Sequence, residues 1–446
     1  MKQKRNALLI TLISFWLPVF LFAGQQFQEE ITANGFVKRI DGIGNLIAAS
    51  QTSDRKYLIV SGESGTITIS KLSSSGTKLW MTSFETSSYL NSVAHIISVA
   101  EANDGYLLAG FNRDPVTEGA ILIKLDTSGN IVWSKQSNSL WYLTSVTAQP
   151  KGTFLAVGLA RDPQYPVLIK FSHAGDVLWT KTFSQFAVQL DDWGVPNYFP
   201  TSVATPDDGI VMAVREFRYD LPSRVYMFKI NSDGDITWTR KITMSGFVGS
   251  IHVTSDGGIL LLVPDENTVV RLDARTRPQW AARYRFDGMS LTDVIETPDG
   301  GYELVGSRIV YGTPPRGELV EDGSAILLSI DEQGKILSQK KVAKGKSGSG
   351  QTIFHSGDHG YVMFASKLSK TENGNQNSIL MAKTDSQGRV PGCHFSRASK
   401  LVKSENISGI ETRKFRLKKT SSLSLNFSQL TLFPRETNES INSICE

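Results

Sequence analysis

Cysteine and histidine are scarce in this 446-residue chain, which holds two of the former (Cys393, Cys445) and six of the latter. So few thiols exclude a disulfide-rich scaffold and an all-cysteine zinc site. None of the histidines lies in His-Glu-x-x-His or at finger spacing from a cysteine. His355 and His359 flank a Gly-Asp turn, where helical spacing has no meaning. The Gly-x-Ser-x-Gly elbow of hydrolases is absent, and Gly345-Lys346-Ser347 lacks the upstream glycine of a phosphate loop because Lys340 holds that position. No stretch sustains a helical period, and the one long apolar run is N-terminal.

That run, Ala7 to Phe22, follows Lys2, Lys4 and Arg5 and ends at the small pair Ala23-Gly24, the pattern of a secretory signal peptide over residues 1–23. It is too short for a transmembrane helix, and Gln25 stands where a lipidated cysteine would. The mature chain is therefore expected to be exported, periplasmic or extracellular, without a membrane span. Residues 1–23 hold three of the 47 Lys and Arg and none of the 43 acids, so the net charge falls from +4 to +1 without them. Such a weak field gives no reason to expect a nucleic-acid partner.

What the chain has in abundance is repetition. Asp104 to Gly110 (DGYLLAG) followed by Ala120 to Trp133 (AILIKLDTSGNIVW) recurs as Asp207 to Ala213 (DDGIVMA) and Val225 to Trp238 (VYMFKINSDGDITW). Seven copies are marked by the turn residues Gly76, Gly129, Gly175, Gly234, Thr276, Gly334 and Gly388. From Gly76 to Gly388 is 312 residues over six intervals, a mean period of 52. A tryptophan follows the turn by four positions at Trp80, Trp133, Trp179, Trp238 and Trp280, then gives way to Ser338 and Gly392. In the third copy the strand signals fall at 144–148, 153–159, 166–171 and 176–183. Four short strands per unit, repeated seven times, define an all-β, seven-bladed β-propeller over residues 45–395, after a lead-in at 24–44. The repeated Trp reads as packing between blades, its N–H satisfied by backbone.

Residues 396–446 change composition but keep strand-like alternation at Leu423, Leu425, Phe427, Leu430 and Leu432, giving a short β-rich tail. Cys393 and Cys445 bracket it, and in an exported chain they are expected to form a disulfide that pins the tail to the last blade. Within the tail, Arg413-Lys414-Phe415-Arg416-Leu417-Lys418-Lys419 alternates base with apolar residue, which suits protection of an edge strand or contact with an anionic surface.

The turns joining strands one to two and three to four are short and repeated, so they share one rim. The loops joining strands two to three, and each blade to the next, vary in length and share the other. Function in repeat proteins gathers where insertions fall. The longest are 185–199, with Asp191, Asp192, Trp193 and Tyr198, and 308–322, with Tyr311 and Arg316; Trp141 and Tyr142 are placed in another loop on that rim. Aromatics beside carboxylates suit a glycan or a protein ligand.

The sequence Asp299-Gly300-Gly301-Tyr302, with Leu122-Ile123-Lys124-Leu125-Asp126-x-x-Gly129-Asn130-x-x-Trp133, resembles the secreted bacterial propellers with delta-60-like or quinoprotein-like repeats. The resemblance covers roughly residues 45–392 and implies the architecture, with mostly exported binding or scaffold roles. The Asp126–Trp133 segment also resembles the tryptophan-docking motif of quinoprotein dehydrogenases and, less closely, the Asp box of sialidases. The dehydrogenases have eight blades and an adjacent cysteine pair, whereas Cys393 and Cys445 stand apart; the sialidases' arginine cluster is not found by motif. The expectation is thus a monomeric, exported, non-catalytic propeller with no catalytic residues, metal or cofactor, binding a glycan or protein through its variable-loop face. The alternatives are a quinoprotein-like oxidoreductase using calcium and pyrroloquinoline quinone, a glycan-active hydrolase or lyase, and an envelope-assembly scaffold.

Overall fold

Strands dominate because each repeat alternates β-branched and aromatic residues between glycine turns. A computed structural model describes residues 35–443 other than 64, 86–93, 113–117, 150–151, 163, 187–199, 217–223, 245, 286–287, 311–321, 346–347, 372–373, 391–402, 409, 415–422 and 436–438. The chain folds into seven antiparallel blades arranged in a ring. Blade three shows the unit: Leu140–Ala148 innermost, then Phe154–Ala160, Pro166–Phe171 and Val177–Thr182 outermost.

Blade seven is built differently. Its first three strands are Gly348–His355, Tyr361–Thr371 and Gly374–Thr384, but its fourth comes from the other end of the chain: Phe36–Asp41, within the segment set apart above as a lead-in, pairs from Phe36↔Lys383 to Asp41↔Ser378. The ring is thereby clasped by a strand far from its neighbours in sequence.

The tail then runs back around the outside, against the order of the blades. Lys403–Asn406 adds a fifth strand to blade five, Thr412–Arg413 to blade four, Ser428–Gln429 to blade two and Phe433–Pro434 to blade one. At blade three the Leu423 amide and carbonyl bond the Thr180 hydroxyl, both at 2.7 Å. Ser440–Ser443 ends the circuit on the clasp strand, from Lys38↔Ser443 to Asp41↔Ser440. Apolar side chains of this strap plug the outer ends of the crevices between blades: Leu425 is buried in the core between blades two and three, Leu430 in that between one and two, and Ile407 and Ile410 pack on that between four and five.

Neighbouring blades are held by a repeated dock. The indole N–H of Trp80 donates to the Thr127 carbonyl at 3.0 Å, Trp133 to His173 at 3.3 Å and Trp280 to Glu332 at 2.6 Å, each in the third-to-fourth turn of the next blade. Each ring lies on that turn's glycine. A Cβ on Gly129 would come within 2.5 Å of Trp80, and one on Gly175 within 2.9 Å of Trp133. These glycines therefore answer two demands, a positive φ (+87 and +75) and the space taken by an indole.

Directly across the sheet from each docking Trp stands a cation of the third strand: Lys71, Lys124, Lys170, Lys229 and Arg271. Four of these, and Lys383 in blade seven, reach the aspartate of their own first-to-second turn, as in Arg271–Asp256 at 2.7 Å and Lys383–Asp358 at 2.8 Å. Hydrogen bonding from Lys229 holds the Asp207 carboxyl below its ordinary range. Lys170 faces no such aspartate and donates instead to the Ser232 carbonyl of blade four at 2.7 Å.

Two substitutions separate these contributions. Leu430→Ala should lower stability by about 2–4 kcal/mol although it lies in the tail, since it empties part of a core, and Trp133→Ala by about 3 kcal/mol. Thermal or denaturant unfolding measures both; a strap merely lying on the surface would leave the first variant unchanged.

Candidate functional site

Antiparallel order sends the two kinds of connection to opposite rims of the ring. On the short-turn rim the third-to-fourth turns are internally satisfied. Asp126 Oδ1 accepts from the amides of Ser128 at 2.8 Å and Asn130 at 2.9 Å, and Asn231, Asp273, Asp331 and Asp385 close their turns in the same way. The side-chain oxygen of Asn231, which opens the Asn-Ser-Asp-Gly-Asp run 231–235, is thus already occupied. Among the described residues no three His, Cys, Asp or Glu side chains converge on a metal position.

On the variable rim, one polar and aromatic cluster forms where blades two and three meet. The Arg161 guanidinium lies 4.0 Å over the Trp141 ring and bonds the Glu118 carboxylate at 3.1 Å. Phe111, Tyr142, Leu159 and Phe247 pack around them. Two buried donors in the cluster, Trp141 Nε1 and Arg161 Nε, meet no acceptor among the described residues. A buried donor left unsatisfied costs about 1–3 kcal/mol.

Of the residues singled out in the sequence, Trp141 and Tyr142 are described, and they do not occupy a loop. The connection from blade two to blade three is only 138–139, so both fall in the inner strand Leu140–Ala148, and Tyr142 is buried. Asp191, Asp192, Trp193, Tyr198, Tyr311, Arg316, Cys393, Cys445 and the signal segment 1–23 lie outside the described residues. Arg161 and Glu118, which complete the cluster, carry no repeat signature and had no signal in the sequence.

Two buried carboxylates were legible only by aligning the copies. Asp293, on the inner strand of blade six, accepts from Ser250 Oγ of blade five at 2.9 Å and, across blade seven, from Thr352 Oγ1 at 2.8 Å and the Ile353 amide at 3.2 Å. It stands in line with the hydroxyls Ser98 and Ser145 on other inner strands, which follow the same bulge. It keeps a little surface, but the three inner strands around it push its pKa up by desolvation. Glu303 occupies the second-strand position filled by Leu58, Leu107, Leu155, Val211, Leu260 and Val362 elsewhere, and is 4% exposed. In the same blade Ser329 replaces the third-strand cation and Ser338 the docking Trp. Burial raises the Glu303 carboxyl to about 7, against a hydrogen bond from Ser329 and the charge of Lys340.

No family model matches the chain, and no curated protein matches it. Solved structures are similar in fold. A protein of unknown function from Bacteroides caccae is 12% identical with a TM-score of 0.39, covering 69% of this chain and 94% of that one. U3-55K is 12% identical with a TM-score of 0.48, over 77% and 98%. Puromycin hydrolase is 13% identical with a TM-score of 0.45, over 80% of this chain and 55% of that one. At such identities the likeness is one of fold alone. Among the described residues no helix is long and apolar enough to cross a membrane.

The Glu303 pKa fixes a pH dependence. A folded value of about 7, above the ordinary 4.5, means that the fold favours the protonated acid. Its contribution is complete below the unfolded pKa and is lost as pH rises through about 7. Glu303→Gln should therefore stabilise the protein by roughly 2–3 kcal/mol at pH ~8 and hardly at all at pH ~4. Denaturant unfolding of both proteins across that range measures the difference; parallel curves would mean that Glu303 is ionised in the fold.

Proposed function

We propose that the chain is an exported, non-catalytic propeller that binds a glycan or a protein through its variable-loop rim. The observation that carries this reading is the Trp141–Arg161–Glu118 cluster: a cation fixed by stacking and by a carboxylate, with two neighbouring buried donors that have no acceptor among the described residues. The third-to-fourth turns of the opposite rim, by contrast, spend their polar groups on themselves. The strands that flank the insertions 185–199 and 308–322 end on the same rim as the cluster, and we assign Trp193, Tyr198, Tyr311 and Arg316 to that surface.

Export and a Cys393–Cys445 disulfide complete the reading. The strap ends at Ser443 on the blade whose third strand ends at Thr384, so Cys445 follows one strand of blade seven by two residues and Cys393 another by nine. Closing a loop of this size would stabilise by about 4 kcal/mol on the chain-entropy account.

Glycan-array binding and pull-down from envelope extract, with the mature protein and its Arg161→Ala variant, test the binding role. Capture of a glycan or protein that is reduced at least about tenfold in the variant, with the melting temperature nearly unchanged, is expected. Equal capture by both would remove the cluster from the function. Intact-mass measurement of the exported protein should find two hydrogens fewer than the reduced chain; two free thiols would contradict the pin.

A further inference from the structure

The short-turn rim is not uniform. Between blades five, six and seven a cavity of about 360 Å³ is lined by Ser255, Glu296, Thr297, Pro298, Gly300 and His355. The Glu296 carboxylate is clamped there: the Ser255 amide donates to Oε2 at 2.6 Å and the Ser255 hydroxyl to Oε1 at 3.1 Å. His355 stands at the same wall as Glu296, and a neutral imidazole offers one ring nitrogen as an acceptor. Desolvation lowers the His355 pKa and so favours that neutral form. At Gly300 the space that a Cβ would enter is open to at least 4 Å.

The charge around this cavity departs from that of the other blades. On either side the third-strand cations are neutralised, Arg271 by Asp256 and Lys383 by Asp358. In blade six Ser329 replaces the cation, so Asp299, on the same turn as Pro298 and Gly300, has no ion pair among the described residues. The lining includes a fixed carboxylate and an imidazole acceptor, and no Lys or Arg.

We propose that this cavity binds a primary ammonium group, carried by an amino sugar or by a lysine side chain of a partner. An ammonium is compact and donates in three directions, which suits a carboxylate and an imidazole acceptor set at the wall of a cavity. The site lies on the rim opposite the Trp141–Arg161 cluster and stands or falls independently of the reading given there.

Calorimetric titration with glucosamine, Nα-acetyl-lysine amide and glucose tests it. Binding of at least one amine without binding of glucose is expected, and which amine binds separates the sugar from the side chain. Glu296→Gln should weaken that binding at least about tenfold while the protein still melts cooperatively. If that variant fails to fold, His355→Phe, which leaves the Ser255–Glu296 clamp in place, should produce the loss. No heat from either amine, equal binding of glucose, or unchanged affinity in the folded variants would overturn the proposal.

Discussion

Four turn glycines of this protein, Gly129, Gly175, Gly234 and Gly334, are buried beneath an indole that the preceding blade lays on them. That single contact ties backbone geometry, blade spacing and stability together. The ring sets how closely two blades approach, the N–H fixes it to the neighbour's turn carbonyl, and the glycine is required both by the positive φ and by the indole above it. The third-strand cation beneath four of the five Trp is drawn to its own turn aspartate, so in those blades the layer that docks on the next blade also closes the inner turn. Blade six is where this breaks down. It has lost the cation at Ser329 and the Trp at Ser338, and it has gained an acid at Glu303 in a core that is otherwise apolar.

A ring of docked blades still needs to close, and it does so at the blade following the weakened seam. The clasp strand Phe36–Asp41 is gripped on one edge by blade seven and on the other by the end of the strap. The strap covers outer edges that would otherwise invite pairing with other chains, and its leucines fill the crevices where twisted sheets diverge. The two ends of the chain thus meet on one blade.

The architecture was legible because period, turn glycines and strand patterning all repeat, and repeated signals reinforce one another. The cation beneath each Trp was equally visible in the letters, as the Lys of Leu-Ile-Lys-Leu-Asp, but its meaning depends on a cross-strand neighbour that no local pattern supplies. The strap's alternating Leu423 to Leu432 gave strand character; that these residues run around the ring rather than onto one blade follows from contacts such as Leu430 with Ser134, 296 positions apart. Trp141 and Tyr142 were placed in a loop because aromatics after a polar stretch look like a tip, whereas a two-residue connection at 138–139 carries them straight into the inner strand. Sites built by convergence, such as Arg161 on Trp141 or His355 beside Glu296, leave no periodic trace.

Blade cohesion comes from the indole dock, and two seams lack one: the clasp strand closes that between blades seven and one, with Phe36 on Gly76 and Lys38 donating to the Ser75 carbonyl, which leaves the seam between blades six and seven the weakest in the ring. Native-state hydrogen exchange resolved by blade tests this directly. The inner and second strands of blades six and seven, Met289–Glu296, Tyr302–Val310, Gly348–His355 and Tyr361–Thr371, should open at lower free energy than the same strands of the Trp-docked blades one to three. Uniform protection around the ring, or first opening at a Trp-docked seam, would contradict it.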